Sequence, residues 1–275
     1  MKVYFLSDIH LGAPYFPDSK KAERRVVSFL DSIKDEADAI YLLGDVLDYW
    51  YEYRYVVPRG FVRFFGKLAE LSDRGIKIVW FIGNHDIWIF DYLPKELGIE
   101  VVDGSLTEEI DGHYFFMTHG DGIGKLPSTF KMLRGLFRNR FCQKLFAGIH
   151  PRWTVPFAYR WSDHSRHSSP LPSEEDAKRM LENITVFSRD YLVRHPEINY
   201  FLYGHLHLLE RYTVETDILV SDNLEGGGIN ESGGEAGRDD NNNATAEIIV
   251  LGEWLSQFSY AYWNGEKLEI RKYRE

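Results

Sequence analysis

An α/β sandwich of mixed sheets is the fold this chain of 275 residues predicts, and three features carry the prediction. Short apolar runs at residues 3–6, 40–43, 78–82 and 200–203 have the length and composition of buried strands. Segments with helical spacing separate the first three runs. The order β-α-β-α-β implies parallel strands joined by right-handed crossovers. From residue 106 onward the punctuation changes to hairpins, which adds antiparallel strands at the flanks.

Each element has its own signal. Val26, Val27, Phe29, Leu30 and Ile33 place a helix over residues 20–35, and Phe61, Phe64, Phe65, Leu68 and Leu71 place another over 61–71. Asp111-Gly112 turns a hairpin between residues 106–110 and 114–118, and Asn264-Gly265 does the same between 258–263 and 268–272. Residues 123–172 read as a helical insertion, with an apolar stripe at Phe130, Leu133, Phe137, Phe141 and Leu145 and four prolines toward its end. The expected division is a core of residues 1–122 and 173–275 with a helical lid at 123–172. Within the second part of the core, residues 222–246 are Gly-, Asn- and acid-rich and read as a flexible surface loop.

Composition sets limits. A hydrophobic share of 44% supports a sizeable core and excludes global disorder. The first strand starts by Val3 and no apolar stretch approaches the roughly 18 residues of a membrane span, so a cytoplasmic chain without a leader is expected. A lone Cys142 forms no internal disulfide. Net charge is −10, which disfavours general nucleic-acid binding. The sign is uneven, however: Lys125, Lys131, Arg134, Arg138, Arg140, Lys144, Arg152, Arg160 and Arg166 share the insertion with only Asp163 against them. Such a segment suits an anionic substrate or transient contact with an anionic inner-membrane surface.

The chemistry lies just past the strand ends, where α/β proteins gather their sites. There the chain places Asp8-Ile9-His10, Gly44-Asp45, Gly83-Asn84-His85-Asp86, His119-Gly120-Asp121 and Gly204-His205-Leu206-His207. Each motif alone describes a turn, a helix cap or a packed pair, but all five in this order describe a two-metal site. Two neighbouring divalent cations need a bridging carboxylate with oxygen and imidazole donors on each side. Asp45 is the expected bridge. Asp8, His10 and one of His205 and His207 complete one site, and Asn84, His119 and the other complete the second.

The set D-x-H, G-D, G-N-H-D, H-G-D, G-H-x-H, spanning Asp8 to His207, resembles the calcineurin-like metallophosphoesterases. That resemblance implies a four-layer α-β-β-α sandwich. It also implies two divalent ions, expected to be Mn2+, with Asp8, His10, Asp45 and His207 on one and Asp45, Asn84, His119 and His205 on the other. His85 and Asp86 become the expected catalytic residues, Asp86 orienting His85. The flanking sequences Ser7–Gly12 and Gly44–Trp50, together with the basic insertion, resemble the branch that splits the diphosphate of a lipid-linked nucleotide sugar, UDP-2,3-diacylglucosamine, during lipid A assembly. Asn84, His85, Asp121, Ser165, Arg166 and His205 are the expected substrate contacts. His85 stands where the best-known members of that branch carry Arg. Two alternatives differ in kind: another phosphoesterase, such as a nuclease or phosphomonoesterase, and a non-catalytic scaffold. The core is acidic outside the insertion, unlike a nuclease groove, and no ligand is missing, unlike a scaffold.

Overall fold

In the first strand, β1 (Val3–Leu6), all four side chains are buried, because each face of the strand meets a different apolar layer. The computed structural model describes residues 1–14, 18–124, 128–168, 174–216 and 243–274, with the side chains of residues 130, 161–168 and 174 outside that description. After β1 come α1 (Ser19–Ile33), β2 (Ala39–Leu42), α2 (Val62–Asp73), β3 (Lys77–Phe81), α3 (Tyr92–Leu97) and β4 (Glu100–Val102). The hairpin β5 (Ser105–Ile110) and β6 (His113–Thr118) follows, then α4 (Ser128–Arg138), α5 (Arg140–Ala147), α6 (Pro151–Ser168) and α7 (Glu174–Arg194). The chain closes with β7 (Ile198–Tyr203), β8 (Leu209–Glu215), β9 (Thr245–Leu251), β10 (Ser259–Trp263) and β11 (Leu268–Lys272).

Two mixed sheets result, ordered β11-β10-β1-β2-β3-β4 and β5-β6-β7-β9-β8. Strands β1 to β4 run parallel in the first, and β6, β7 and β9 run parallel in the second; antiparallel strands lie at the flanks. Tyr4, Leu6, Ile40, Leu42 and Trp80 pack on Val26, Phe29, Leu30, Phe64 and Leu68 of α1 and α2. Val3, Phe5, Tyr41, Val79 and Phe81 turn the other way and meet Phe115, Met117, Leu202 and Ile249 of the second sheet. There Phe5 stacks on Tyr41 and Phe115 at centroid distances of 5.2 and 5.7 Å. Phe201, Tyr203, Ile248 and Val250 then cover Ile184 and Leu192 of α7. The order of layers is helix, sheet, sheet, helix, as expected. A fully buried Phe in such a core contributes on the order of 2 to 3 kcal/mol.

Helices α2 and α3 have no side-chain cap of their own, and buried glutamates from elsewhere replace it. Glu23 accepts from the amides of Arg63 and Phe64 at 2.9 and 3.3 Å. Glu52 accepts from Phe90, Asp91 and Tyr92 at 2.6, 2.8 and 3.1 Å, while its other oxygen takes Trp50 Nε1–H at 3.2 Å. Removing Glu52 strands three amides at the start of α3. We expect Glu52→Ala to lower stability by about 2 to 3 kcal/mol in urea unfolding, with an unchanged denaturant slope.

The apolar stripe of the insertion is not one helix. Asn139 interrupts it and caps α5, accepting from the amides of Phe141 and Cys142 at 2.9 and 3.1 Å. Phe137 packs on Trp88 with centroids 5.5 Å apart, whereas Phe141 and Leu145 are 70% and 60% exposed. The insertion is tied to the loops after β2 and β3 by Trp88 Nε1–H to Phe137 O (2.9 Å), Tyr51 O–H to Gln143 O (2.6 Å) and Tyr53 Oη to Thr154 Oγ1 (2.8 Å). Of the loop expected at 222–246, residues 222–242 lie outside the described residues. Thr245 and Ala246 open β9, in register with Glu215 and Val214 of β8. Among the described residues no helix is long and apolar enough to cross a membrane.

Candidate metal centre

All five motifs occupy turns that leave parallel strands at one rim of the sandwich: Asp8 and His10 after β1, Asp45 after β2, Asn84 and His85 after β3, His119 after β6, His205 and His207 after β7. Backbone bonds lace the turns together, including Asp8 N–H to Gly44 O (3.1 Å), His10 N–H to Asp45 O (2.9 Å) and Gly204 N–H to His119 O (3.0 Å). Asp8, His10, Asp45, His205 and His207 all hold φ between 50° and 68°. This left-handed backbone costs about 1 to 3 kcal/mol per non-glycine residue, and such strain concentrates at functional sites. Gly83 is required for close approach, since a Cβ there would strike the Asp45 amide and Oδ1.

The seven expected ligands converge. Asp8 Oδ1 lies 3.3 Å from His207 Nε2 and 3.7 Å from His10 Nε2. The Nε2 atoms of His10 and His207 are 3.3 Å apart. Asp45 Oδ2 stands between two clusters, 3.8 Å from His10 Nε2 and 3.4 Å from His119 Nε2. Asn84 Oδ1 is 3.2 Å from His119 Nε2, and ligand atoms of Asp45, His119 and His205 lie within 4.8 Å of one another. Asp8 Oδ1 is buried without a hydrogen-bond partner. An orphaned carboxylate oxygen beside converging imidazole nitrogens fits a divalent cation with oxygen and nitrogen preferences.

Charge follows geometry. Burial opposes ionisation of Asp8 and Asp45, but the surrounding imidazoles overcome it and hold both carboxyls well below the ordinary range. Burial likewise opposes protonation of His119, yet Asp45, Asp8 and Asp121 push its pKa up to about 10. Burial and the charge on His119 lower His205. The metal-free site thus carries a proton on His119 at neutral pH, and a cation must displace it. We expect binding of Mn2+ to release protons and apparent affinity to rise with pH between about 7 and 10. Calorimetric titration in two buffers of different ionisation enthalpy measures the release.

Neighbouring groups set ring orientation. His119 Nδ1–H donates to Leu43 O at 2.8 Å, which turns Nε2 toward Asp45. Asp48 Oδ1 lies 3.3 Å from His10 Nδ1 and 3.5 Å from His85 Nδ1, and its carbonyl is 3.1 Å from the latter. Asp48 is therefore a partner of His85. Asp86 is turned elsewhere: it accepts from Gly83 N–H (2.8 Å), Val46 N–H (3.0 Å) and Trp80 Nε1–H (3.2 Å), bracing the turns after β2 and β3. Burial, reinforced by the charge on Asp45, pushes its pKa up to about 6. His85 keeps 20% of its side chain exposed while Asp8, His10 and Asp45 are almost fully buried, so it sits on the open side. Asp121 binds Arg134 Nε–H at 2.8 Å, joining the metal rim to α4. The side chains of Ser165 and Arg166 lie outside the described residues. Two supports have no sequence signal: Ser7 Oγ–H to Asp8 Oδ2 (2.6 Å) and Gln257 Nε2–H to His207 O (3.0 Å).

A two-sheet sandwich with carboxylate, carboxamide and imidazole donors gathered on one rim defines a metal-dependent hydrolase. The chain belongs to the calcineurin-like phosphoesterase family, which it matches over residues 1–209. It is 38% identical over 286 residues to the UDP-2,3-diacylglucosamine hydrolase of Porphyromonas gingivalis strain W83, covering 98% of this chain and 96% of that protein. The enzyme of the same name from Vibrio atlanticus is 22% identical, with 98% and 97% covered. Among solved structures, the phosphoesterase Yfce of E. coli aligns at a TM-score of 0.42 and 16% identity, over 99% of this chain and 93% of that one.

Proposed function

We propose that this protein hydrolyses the diphosphate of UDP-2,3-diacylglucosamine, giving UMP and 2,3-diacylglucosamine 1-phosphate in lipid A assembly. The observation that carries the reading is the likeness to the P. gingivalis hydrolase over 98% of the chain, including the insertion and the closing hairpin. Two divalent ions, of which Mn2+ is the preferred identity, would be held by Asp8, His10, Asp45 and His207 and by Asp45, Asn84, His119 and His205. Bound there, they supply Lewis-acid neutralisation of phosphate charge and activation of water.

The chain's own residues do the rest. Asn84, His205 and Asp121 line the phosphate side. His85, steadied by Asp48, stabilises charge on the diphosphate or hands a proton to the leaving oxygen. A sugar phosphate leaves readily, so the demand on that proton donor is modest. Ser165 and Arg166 are proposed as further substrate contacts. In this reading residues 123–172 form a lid over a core of residues 1–122 and 173–275.

The exposed apolar residues support a lipid substrate. Met132, Phe141 and Trp153 are 73%, 70% and 69% exposed on helices that carry Lys131, Arg138, Arg140, Lys144 and Arg152. No carboxylate occurs between residues 128 and 160. Apolar side chains among cations favour acyl chains and an anionic headgroup layer, which fits a cytoplasmic protein in peripheral contact with the inner membrane.

The test is a manganese-supplemented assay of UDP-2,3-diacylglucosamine, UDP-glucose, single-stranded DNA and p-nitrophenyl phosphate. UMP release from the diacylated substrate should exceed turnover of the others by at least about a hundredfold. Rapid cleavage of another ester with the diacylated substrate untouched would refute the proposal.

A further inference from the structure

A cavity of about 160 Å³ is lined by five stretches of the chain. Ile82, Ser105 and Phe116 come from the strand ends, Phe187 from α7, and Arg134 and Arg138 from α4. None of the seven expected ligands lines it, but close neighbours of two of them in the chain do. Ile82 stands two residues before Asn84, and Thr118 and Asp121, also in the wall, flank His119. A site lined by close sequence neighbours of Asn84 and His119 suits a further group of the substrate better than a remote effector.

Size and chemistry narrow that group. A cavity of about 150 Å³ accepts one benzene ring, so this volume matches a single six-membered ring. Ile82, Phe116, Ile123 and Phe187 offer apolar surface to a flat ring face. Ser105, Thr118, Asp121, Arg134 and Arg138 add polar groups, and among them Arg138 carries the unpaired atom. One of its Nη atoms pairs with Asp103, while its Nε is buried with no hydrogen-bond partner. Arg134 Nε is already engaged by Asp121. An unpaired buried donor costs about 1 to 3 kcal/mol, which a ring carbonyl oxygen accepting from it would recover.

We infer that this cavity receives the pyrimidine ring of the substrate's nucleotide half, with a ring carbonyl accepting from Arg138 Nε–H and α4 closing one wall. The assignment rests on the proposed reaction for the identity of the base as uracil. It makes α4 a selector of nucleobase in addition to any contact with lipid. No bond is made or broken at this site.

Binding of UMP, AMP and ribose 5-phosphate to the manganese-loaded full-length protein, measured by calorimetry, tests it. UMP should bind about tenfold or more tightly than the other two. Arg138→Met and the cavity-filling Ser105→Leu should each bring UMP to the level of ribose 5-phosphate while leaving ribose 5-phosphate unchanged. Ser105 lies at an exposed strand end, so its variant reports even if Arg138→Met folds poorly. Equal affinity for UMP and AMP, or variants that weaken all three ligands alike, would overturn the assignment. The two readings fail separately. Turnover of UDP-2,3-diacylglucosamine without base discrimination removes the cavity's role alone; base discrimination without turnover supports the cavity and removes the proposed reaction.

Discussion

Asp45→Ala should lower hydrolysis of any phosphoester by roughly a thousandfold or more, the equivalent of about 4 kcal/mol of transition-state stabilisation. Asp45 Oδ2 approaches imidazoles of both clusters, at 3.8 Å from His10 and 3.4 Å from His119. Its partner Oδ1 accepts from the His85 amide at 2.8 Å, so the same side chain also places the loop that carries Asn84 and His85. Asp45→Asn separates the two duties. The amide oxygen can still accept from His85 N–H, but the negative charge that holds cations is gone. Both variants should therefore lose bound metal, with the Asn form keeping its thermal stability closer to the parent. Metal content by mass spectrometry and turnover of bis-p-nitrophenyl phosphate check this together. Full activity in either variant would leave Asp45 without a role in metal-dependent turnover.

Gly83→Ala is the second change with a large expected effect, and it acts through shape. The added methyl would strike the Asp45 backbone amide and Oδ1, with Asp45 Cγ 2.9 Å away. The backbone contact cannot be relieved by a rotamer change, so the turn after β3 must move away from the turn after β2. Overpacking of this kind costs about 3 kcal/mol and displaces the Asp45 carboxylate. The expected result is a lower urea midpoint together with lost metal. Gly66 provides the contrast. It is an exposed position within α2, and a Cβ there meets nothing within 4 Å. Gly66→Ala should raise stability by about 0.5 to 1 kcal/mol, the usual gain for a helix interior. Equal behaviour of the two alanines would contradict the close-approach argument.

The strands were legible because each central strand is covered on both faces. Coverage on both faces gives continuous apolar runs such as Val3-Tyr4-Phe5-Leu6 in place of alternation, and a continuous run is easy to see. The ligands were legible for a related reason: a strand must turn where its sheet ends, and Asp8, Asp45, Asn84 and His205 stand at or just after those turns. Asp48 as a partner of His85 was not legible. Asp86 is the neighbour of His85 in sequence, yet successive side chains in a turn diverge, and Asp86 serves Gly83 in its own turn, Trp80 of β3 and Val46 after β2, while Asp48 meets His85 across a loop. Helical spacing in the insertion showed an apolar stripe but not its coverage. Asn139 breaks it in two, and only the packed structure separates covered Phe137 from open Phe141.

The sequence alone determined the layered class of the fold and which carboxylate, carboxamide and imidazole side chains follow the strand ends, because local apolar runs and the motifs that end them need no distant information. Tertiary structure decided which groups steady those side chains. Glu52 beneath α3, Gln257 behind His207 and Arg134 against Asp121 join positions 38 to 40, 50 and 13 residues apart. Such contacts follow from how sheets and helices pack, and no local pattern along the chain encodes them.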